Sequence, residues 1–372
     1  MKRAAWIIVA LALAATRPAA AQDYTREELR VPMDAASPRG LEAMLVRPAA
    51  GGPWPLALIS HGSPPDPLER PKMSPFGIYR QAVELARRGF AALIVMRRGY
   101  GDSGGSYAES TCCNPNLYAN SFQATSADLR AAIAAMKGRS DVTTQGMIAV
   151  GTSAGGLASV ALAADAPPGL AAVINFAGGR RWRKPGGEDI RAADSENALV
   201  AAYRTLGAQA RVPMLWIYAA NDSYFGPDLA RRMHEAFTAA GGRAQLTSLP
   251  AFGDDGHHLF SRGIAVWTPL VDEFLRSQNL GRREPLPSPR LAALPPPPQL
   301  RDKGRAGFAD YLAAGPHKAF AVSPRGAWGS RSGQRSAADA QAMALEVCSK
   351  YAADCIVYAV DDELPGQTGA AR

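Results

Sequence analysis

The chain of 372 residues has little of what a metal or redox centre needs, with only four cysteines and five histidines. Neither a histidine nor a carboxylate recurs at metal-ligand spacing near either cysteine pair, so we expect no metal site. No apolar stretch after the N-terminus is long enough to cross a bilayer. The formal net charge is +8, but no basic segment is interleaved with aromatic residues, which argues against nucleic-acid binding.

The N-terminus has the composition of a secretory signal peptide over residues 1–21. Two basic residues precede an apolar core at residues 6–15, and Ala19-Ala20-Ala21 form a small-residue cleavage site before Gln22. The apolar core is too short for a spanning helix. We therefore expect a periplasmic or secreted protein without a transmembrane segment after signal removal. An uncleaved signal that acts as an anchor is the alternative.

Residues 22–280 alternate between strand-like and helix-like patterns. The predicted strands cover residues 28–33, 41–47, 55–60, 91–96, 147–150, 171–176, 213–219 and 244–249. The predicted helices cover residues 77–88, 126–137, 227–240 and 266–278. Nearly continuous apolar strands separated by amphipathic helices predict an α/β domain, a mostly parallel sheet with helices on both faces.

The composition changes after residue 280. Residues 281–304 are rich in proline and predict a stiff, extended linker. Residues 305–372 predict a small α+β module, with strands at 319–323 and 355–360 and a helix at 337–350. So small a unit has little core, and a disulfide would help it.

The four cysteines permit disulfides in an exported chain. Cys348 and Cys355 lie at the end of a predicted helix and the start of a predicted strand, which makes them a plausible pair. Cys112 and Cys113 are adjacent in sequence. Three pairings are possible, and the sequence does not choose among them.

The apolar run 146–150 stops at Gly151-Thr152-Ser153-Ala154-Gly155 and continues into an Ala-rich helix. A serine on a sharp strand-to-helix turn exposes its hydroxyl, and small flanking residues allow the close approach that such a turn needs. Ser153 is therefore the predicted nucleophile. A second match, around Ser103, has the sequence GDSGG that surrounds the nucleophile of chymotrypsin-like proteases. Those proteases have an all-β fold, which conflicts with the alternation of strand-like and helix-like segments in this chain. We interpret Ser103 as structural.

A serine nucleophile needs a base and an acid. Of the histidines, the pair His257-His258 follows the last predicted strand of the large domain, so the base is one of these two. Asp222 follows the strand 213–219, at the sheet edge where active sites of open α/β sheets gather. Asp254 and Asp255 are alternatives as the acid, but their adjacency to His257 disfavours the side-chain geometry.

Together these motifs resemble the α/β-hydrolase fold, in particular its dienelactone-hydrolase-like branch. The resemblance rests on five motifs in the family's order: His61-Gly62-Ser63-Pro64, Arg98-Gly99-Tyr100-Gly101-Asp102-Ser103, Gly151-Thr152-Ser153-Ala154-Gly155, Asn221-Asp222 and Asp255-Gly256-His257. It implies His257 as the base, with His258 as a wall residue. It also implies an oxyanion hole made by the backbone N–H groups of Ser63 and Ala154.

Other positions have weaker signals. Tyr100, Trp182, Tyr224 and Phe225 are candidate pocket residues, although plain packing explains them equally well. The basic cluster Arg180, Arg181, Arg183 and Lys184 is either a solvated loop or an attractor of acidic substrates or surfaces. The C-terminal module resembles small accessory domains of bacterial exported proteins, with the order A-F-A-x-S, G-x-W-G, A-L, C and C, and this implies no chemistry.

The combined hypothesis is an exported serine hydrolase that cleaves small-molecule carboxylic esters without a cofactor. A serine nucleophile departs from the cysteine of dienelactone hydrolases proper, so their lactone substrate is not implied. Cleavage of amides or peptides is the second hypothesis, because prolyl peptidases share the triad. A catalytically idle binding protein, anchored to an envelope component by the C-terminal module, is the third.

Overall fold

The computed structural model describes residues 23–182 and 191–365. Within these ranges eight strands form one sheet in the order β1-β2-β4-β3-β5-β6-β7-β8. Their bounds are β1 (Tyr24–Val31), β2 (Leu41–Pro48), β3 (Trp54–Ser60), β4 (Ala91–Val95), β5 (Val142–Thr152), β6 (Leu170–Phe176), β7 (Met214–Ala219) and β8 (Ala244–Leu249). Strand β2 runs antiparallel to both neighbours and every other pair is parallel.

Helices cover both faces of this sheet. They are α1 (Tyr79–Arg87), α2 (Leu117–Lys137), α3 (Ala154–Ala164), α4 (Ala192–Gly207), α5 (Pro227–Ala239), the short α6 (Leu259–Arg262) and α7 (Ile264–Ser277). Helices α2 to α5 share one apolar core with the sheet, and α1 and α7 share the core on the opposite face. The buried strand residues are almost all apolar because both faces are covered. The predicted α/β architecture is confirmed.

Several elements extend beyond their predicted bounds. Strand β5 is eleven residues long, whereas four were predicted, and α2 begins at Leu117 rather than at residue 126. The added turns of α2 bury Tyr118 and Ser121, so tertiary packing stabilises a segment whose own helix propensity is modest. The signal peptide predicted for residues 1–21 lies outside the described residues. No helix in the described ranges is both long enough and apolar enough to cross a membrane.

The C-terminal module contains a second sheet in the order β10-β9-β11, all antiparallel. Its elements are α8 (Asp302–Ala313), β9 (Ala319–Val322), β10 (Trp328–Arg331), α9 (Ala337–Ser349) and β11 (Ile356–Val360). Side chains alternate along β9: Phe320 and Val322 pack with α8, and Ala319 and Ala321 pack with α9. Neither α8 nor β10 was predicted from the sequence. The first residues of α8 fall inside the predicted linker.

The structure pairs Cys348 with Cys355 and Cys112 with Cys113. The first bridge joins the end of α9 to the residue before β11, so it closes the module's helix onto its sheet. The second lies in the long connection between β4 and α2. No free cysteine occurs among the described residues.

Candidate active site

Ser153 occupies the turn between β5 and α3. Its backbone angles, φ 55° and ψ −125°, are sparsely populated for a residue with a side chain. Its N–H donates to the Phe176 carbonyl at 3.0 Å, and its own carbonyl accepts from the Gly179 N–H at 3.0 Å. Hydrogen bonds to the end of β6 and to the chain that follows it therefore hold the strained turn.

Glycines permit the close backbone contacts around this turn. A Cβ at Gly151 would lie 2.1 Å from the Gly155 carbonyl oxygen, and one at Gly155 would lie 2.0 Å from that of Ser60. A Cβ at Gly62 would lie 3.2 Å from the Cβ of Ser153. No larger side chain fits at the first two positions without displacing backbone. The G-x-S-x-G spacing is thus a packing requirement of β3, β5 and α3.

His257 and Asp222 form a hydrogen-bonded pair. The Nδ1 atom of His257 lies 3.1 Å from both carboxylate oxygens of Asp222. Because an ionised carboxylate only accepts, the proton of neutral His257 lies on Nδ1, and Nε2 keeps its lone pair. The Asp222 side chain has no exposed surface, and that of His257 is 13% exposed.

The turn that follows β7 fixes the Asp222 carboxylate. Its Oδ1 accepts from the backbone N–H groups of Tyr224 at 2.8 Å and Phe225 at 2.9 Å. The Tyr224 ring stacks on His257 with ring centroids 4.3 Å apart. One short segment thus holds the acid and covers a face of the imidazole.

Ser153 and His257 line the same cavity, which we call the Ser153 cavity and which has a volume of about 630 Å³. Its other lining residues are His61, Gly62, Ser63, Pro65, Lys72, Met73, Ser74, Gly77, Ile78, Gln81, Thr152, Tyr224, Asp255, His258, Phe260, Ser261, Ser332, Gly333 and Gln334. Asp222 is not a lining residue and lies behind His257. Ser153 and His257 therefore face one cavity at the carboxyl edge of the parallel strands, and Asp222 is hydrogen-bonded to His257.

Ala154 and Ser63 flank Ser153. Ala154 is the first residue of α3, where N–H groups lack an intrahelical acceptor and the helix dipole favours negative charge. Ser63 lies in the loop after β3, and its Oγ lies 3.0 Å from the Tyr100 hydroxyl oxygen. Because the Tyr100 proton is donated to the Glu109 carboxylate, the Ser63 hydroxyl is the donor in this pair. The role of their backbone N–H groups as an oxyanion hole stays a prediction.

A buried carboxylate, Glu109, lies beneath this loop. Arg97 donates to it through Nε and through Nη2, the latter at 3.3 Å. Arg180 Nη2 donates at 2.5 Å and the Tyr100 hydroxyl at 3.0 Å. Burial alone would raise the pKa of Glu109, but the Arg97 and Arg180 guanidiniums outweigh burial and lower it to about 2.

Arg97 and His61 connect this cluster to the strand ends. Arg97 Nη1 donates to Ser60 Oγ at 2.8 Å and to the His61 carbonyl at 2.9 Å. The Arg97 backbone N–H donates to His61 Nε2 at 3.1 Å, so the ring proton lies on Nδ1 and donates to the Gly62 carbonyl at 2.6 Å. Burial, followed by the Arg97 charge, lowers the pKa of His61 to about 3. His61 is therefore neutral at pH 7 and shapes the loop.

Of the four candidate pocket residues, only Tyr224 lines the Ser153 cavity. Tyr100, Trp182 and Phe225 are buried to 1% exposure or less and are not among the lining residues. Tyr100 supports Ser63 as described, and the Phe225 ring packs 5.7 Å from that of His257. The guanidinium of Arg191 lies 5.0 Å from the Trp182 ring. Packing explains these three rings.

The remaining candidates have structural roles. Ser103 is buried, and its Oγ donates to the Met96 carbonyl at 2.6 Å and accepts from the Glu42 N–H at 2.9 Å. Asp255 accepts from the backbone N–H of His257 at 2.9 Å, so it holds the base through its backbone. His258 is exposed at the cavity wall.

The basic cluster is not a solvated loop where the structure describes it. Arg180 is held against Glu109 as described above, and Arg181 lies 3.1 Å from the Glu196 carboxylate. Arg183 and Lys184 lie outside the described residues. No group of three or more His, Cys, Asp or Glu side chains in the described ranges is arranged to hold a metal ion.

The sequence did not predict the roles of Glu109 and Arg97, nor that Ser332, Gly333 and Gln334 line the cavity. For Arg97, the sequence offered one indication of a buried role, which is its position directly after a buried strand. Glu109 stands in a polar stretch without periodicity, and its partners are distant in sequence.

We expect Glu109→Gln to destabilise the fold by about 3–5 kcal/mol, because it leaves two buried guanidiniums short of a counter-charge. The folded pKa of Glu109, about 2, lies below its ordinary value of 4.5. Its stabilisation is therefore complete above pH 4.5 and is lost as the pH falls through 2. Denaturant unfolding at several pH values should show that the free energy of unfolding differs between wild type and Glu109→Gln, and that this difference becomes smaller as the pH falls below 4.5.

Glu235→Gln is the matched control, because Glu235 forms an exposed ion pair with Arg231 and its removal should leave stability nearly unchanged. If Glu109→Gln and Glu235→Gln lowered the free energy of unfolding by the same amount, the buried charge cluster would not stabilise the fold as we expect.

Known proteins similar to this chain are hydrolases. Residues 39–200, less than half of the chain, match the family described as X-Pro dipeptidyl-peptidase (S15 family). No curated protein matches the sequence significantly.

Solved structures with a similar fold include a putative dienelactone hydrolase from Klebsiella pneumoniae subsp. pneumoniae MGH 78578, at 17% identity over 66% of this chain and 98% of that one, with a TM-score of 0.41. Est1E from Butyrivibrio proteoclasticus, with ferulic acid bound, is 19% identical over 68% of this chain and 99% of that one, with a TM-score of 0.48. The Pyrococcus horikoshii acylaminoacyl peptidase is 13% identical over 71% of this chain but only 43% of its own, with a TM-score of 0.49. The strand order and the turn at Ser153 are those of the α/β-hydrolase fold, and the match over residues 39–200 makes that part of the chain similar to a family of hydrolases.

Proposed function

We propose that the protein is an exported serine hydrolase that cleaves carboxylic esters through an acyl-enzyme. One observation carries the proposal: the Asp222–His257 pair and the strained Ser153 turn meet at one cavity. A neutral serine is a weak nucleophile, and a positioned imidazole with an orienting carboxylate is the arrangement that activates it.

In the first half-reaction, the Ser153 hydroxyl oxygen attacks the ester carbonyl while Nε2 of His257 accepts its proton. The Asp222 carboxylate stabilises the imidazolium that results, and its two backbone donors keep it in place. The backbone N–H groups of Ala154 and Ser63 stabilise the oxyanion, each contributing about 3 kcal/mol. The tetrahedral intermediate collapses, and the alkoxide leaves with the proton from His257.

The second half-reaction repeats these roles with water as the nucleophile. His257 removes a proton from a water molecule, which attacks the Ser153 acyl carbonyl. The same N–H groups stabilise the second oxyanion. Ser153 then recovers its proton from His257, and the carboxylic acid is released.

Dipeptidyl-peptidase activity is the second candidate, because the family match over residues 39–200 favours it. Such a substrate presents a free ammonium group that requires a carboxylate partner. Among the described lining residues the only carboxylate is that of Asp255, and its oxygens already accept from Ser223 and from the His257 backbone. This occupancy supports acyl substrates without a free amine.

The first prediction concerns the nucleophile and the acid. Ser153→Ala should lower kcat for a chromogenic ester by about 10⁶, and Asp222→Asn by about 10⁴ because the imidazole tautomer is no longer fixed. A fluorophosphonate probe should label wild type but not Ser153→Ala. Ser103→Ala, at the other G-x-S-x-G match, is the control and should be labelled like wild type. Labelling that disappears only in Ser103→Ala would overturn the assignment.

The second prediction separates the two candidate activities. A p-nitrophenyl ester should be hydrolysed with a kcat/KM at least about 10²-fold higher than an Ala-Pro p-nitroanilide, since the one carboxylate among the described lining residues, that of Asp255, already accepts three hydrogen bonds. N-acetyl-Ala-Pro p-nitroanilide is the matched control without the charge. Preference for the free-amine anilide over its acetylated form would favour the dipeptidyl-peptidase.

The third prediction concerns export, which the N-terminal composition and the Cys348–Cys355 bridge support, because disulfides persist in oxidising compartments. Mass spectrometry of the protein from the periplasmic or culture fraction should give a mature N-terminus at Gln22. Intact chain beginning at Met1 in the membrane fraction would indicate an uncleaved anchor instead.

A further inference from the structure

Part of the Ser153 cavity wall comes from the C-terminal module. Ser332, Gly333 and Gln334, in the connection between β10 and α9, line the cavity together with Ser153 and His257. We call residues 332–334 the wall loop. About 180 residues of chain separate this loop from the nucleophile, so only the docking of the module onto the large sheet brings them together.

An ion pair anchors the chain directly after the wall loop. Arg335 donates to both carboxylate oxygens of Glu42, at 3.0 and 2.9 Å, and to the Met73 carbonyl at 2.8 Å. Bidentate Arg–carboxylate pairs fix orientation as well as distance. The Arg335 and Glu42 side chains are 34% and 15% exposed, so the pair is partly shielded from solvent. Because Met73 lines the cavity, this anchor joins the module to the cavity rim.

Backbone packing holds the loop itself. Gly333 has φ +66°, and a Cβ there would lie 2.8 Å from the Cα of Gly77, another lining residue. The two backbones are therefore in contact. His317 packs against Phe76 with ring centroids 3.9 Å apart, and its Nδ1 lies 3.0 Å from the Gln334 carbonyl. Neither the loop nor the module beneath it can withdraw without breaking these contacts.

We infer that the wall loop determines specificity, with Ser332 and Gln334 limiting the size of the substrate group beyond the scissile carbonyl. The inference rests on the proposed function, since it concerns the substrate of the same site. The loop offers a hydroxyl and a carboxamide rather than an apolar surface. It therefore favours compact acyl or alcohol groups that carry hydrogen-bonding atoms over long alkyl chains.

Added bulk in the wall loop tests this inference. Ser332→Trp should lower the ratio of kcat/KM for p-nitrophenyl octanoate to that for p-nitrophenyl acetate at least about tenfold, the scale on which pocket shape discriminates. Ala338→Trp, on the exposed surface of α9, introduces the same side chain outside the cavity and should leave the ratio unchanged. Equal ratios in wild type and Ser332→Trp would overturn the inference.

A second pair of variants tests the anchor without adding bulk. Arg335→Gln removes the bidentate contact with Glu42 and should allow the wall loop to move away from the cavity. The KM values for p-nitrophenyl acetate and p-nitrophenyl octanoate should therefore become more similar. Arg325→Gln, at an exposed position of the turn between β9 and β10, is the control. An unchanged ester profile in Arg335→Gln, with intact folding by circular dichroism, would contradict the role of the module.

Fluorophosphonate labelling of every variant distinguishes a failure of the wall-loop inference from a failure of the proposed serine hydrolase activity. If wild type is labelled and hydrolyses esters but Ser332→Trp and Arg335→Gln keep its chain-length profile, the inference fails and the proposed function stands. If wild type is neither labelled nor active on any ester, both fail together. Labelling of Ser332→Trp at the wild-type level with a changed profile supports both.

Discussion

The Ser153 turn depends on three backbones lying closer together than any side chain allows. Strand β5 meets helix α3 at Gly151 and Gly155, and α3 meets the end of β3 at the Ser60 carbonyl. Ser153, which has a positive φ, is held in place because its N–H donates to the last carbonyl of β6 and its carbonyl accepts from the Gly179 N–H. The sheet and α3 therefore supply the stability that offsets a backbone strain of about 1–3 kcal/mol. The hydroxyl projects from the sheet edge as a consequence of this packing.

A second constraint acts on the loop opposite the turn. The loop after β3 carries Ser63, and a buried charge cluster centred on Glu109 supports it from below through Arg97 and Tyr100. A buried cluster contributes little net stability compared with apolar packing, but it is costly to break once formed. The main effect of the Glu109 cluster is to hold this loop in position. It fixes the loop after β3 to the chain after β4, and Ser63 in that loop lines the same cavity as Ser153.

The sequence predicted the turns that carry Ser153, Asp222 and His257, but not the structure that supports them. Ser153, Asp222 and His257 stand in local motifs, because each needs a particular turn at a strand end, and turns leave local signals. Glu109 leaves none, because its burial depends on guanidiniums 12 and 71 residues away. Helix α8 was obscured by the proline-rich segment before it, and β10 by the glycines and polar residues around it. The wall loop could not be predicted at all, since its position depends on how two units of the chain dock.

The Ser153 cavity is built from two units that fold around separate cores. Substitutions in the wall loop can therefore accumulate without disturbing the strand ends that carry Ser153, His257 and Asp222. Under the proposed function, such a division would let relatives with different versions of the small unit diverge in the compounds they accept while Ser153, His257 and Asp222 keep their positions.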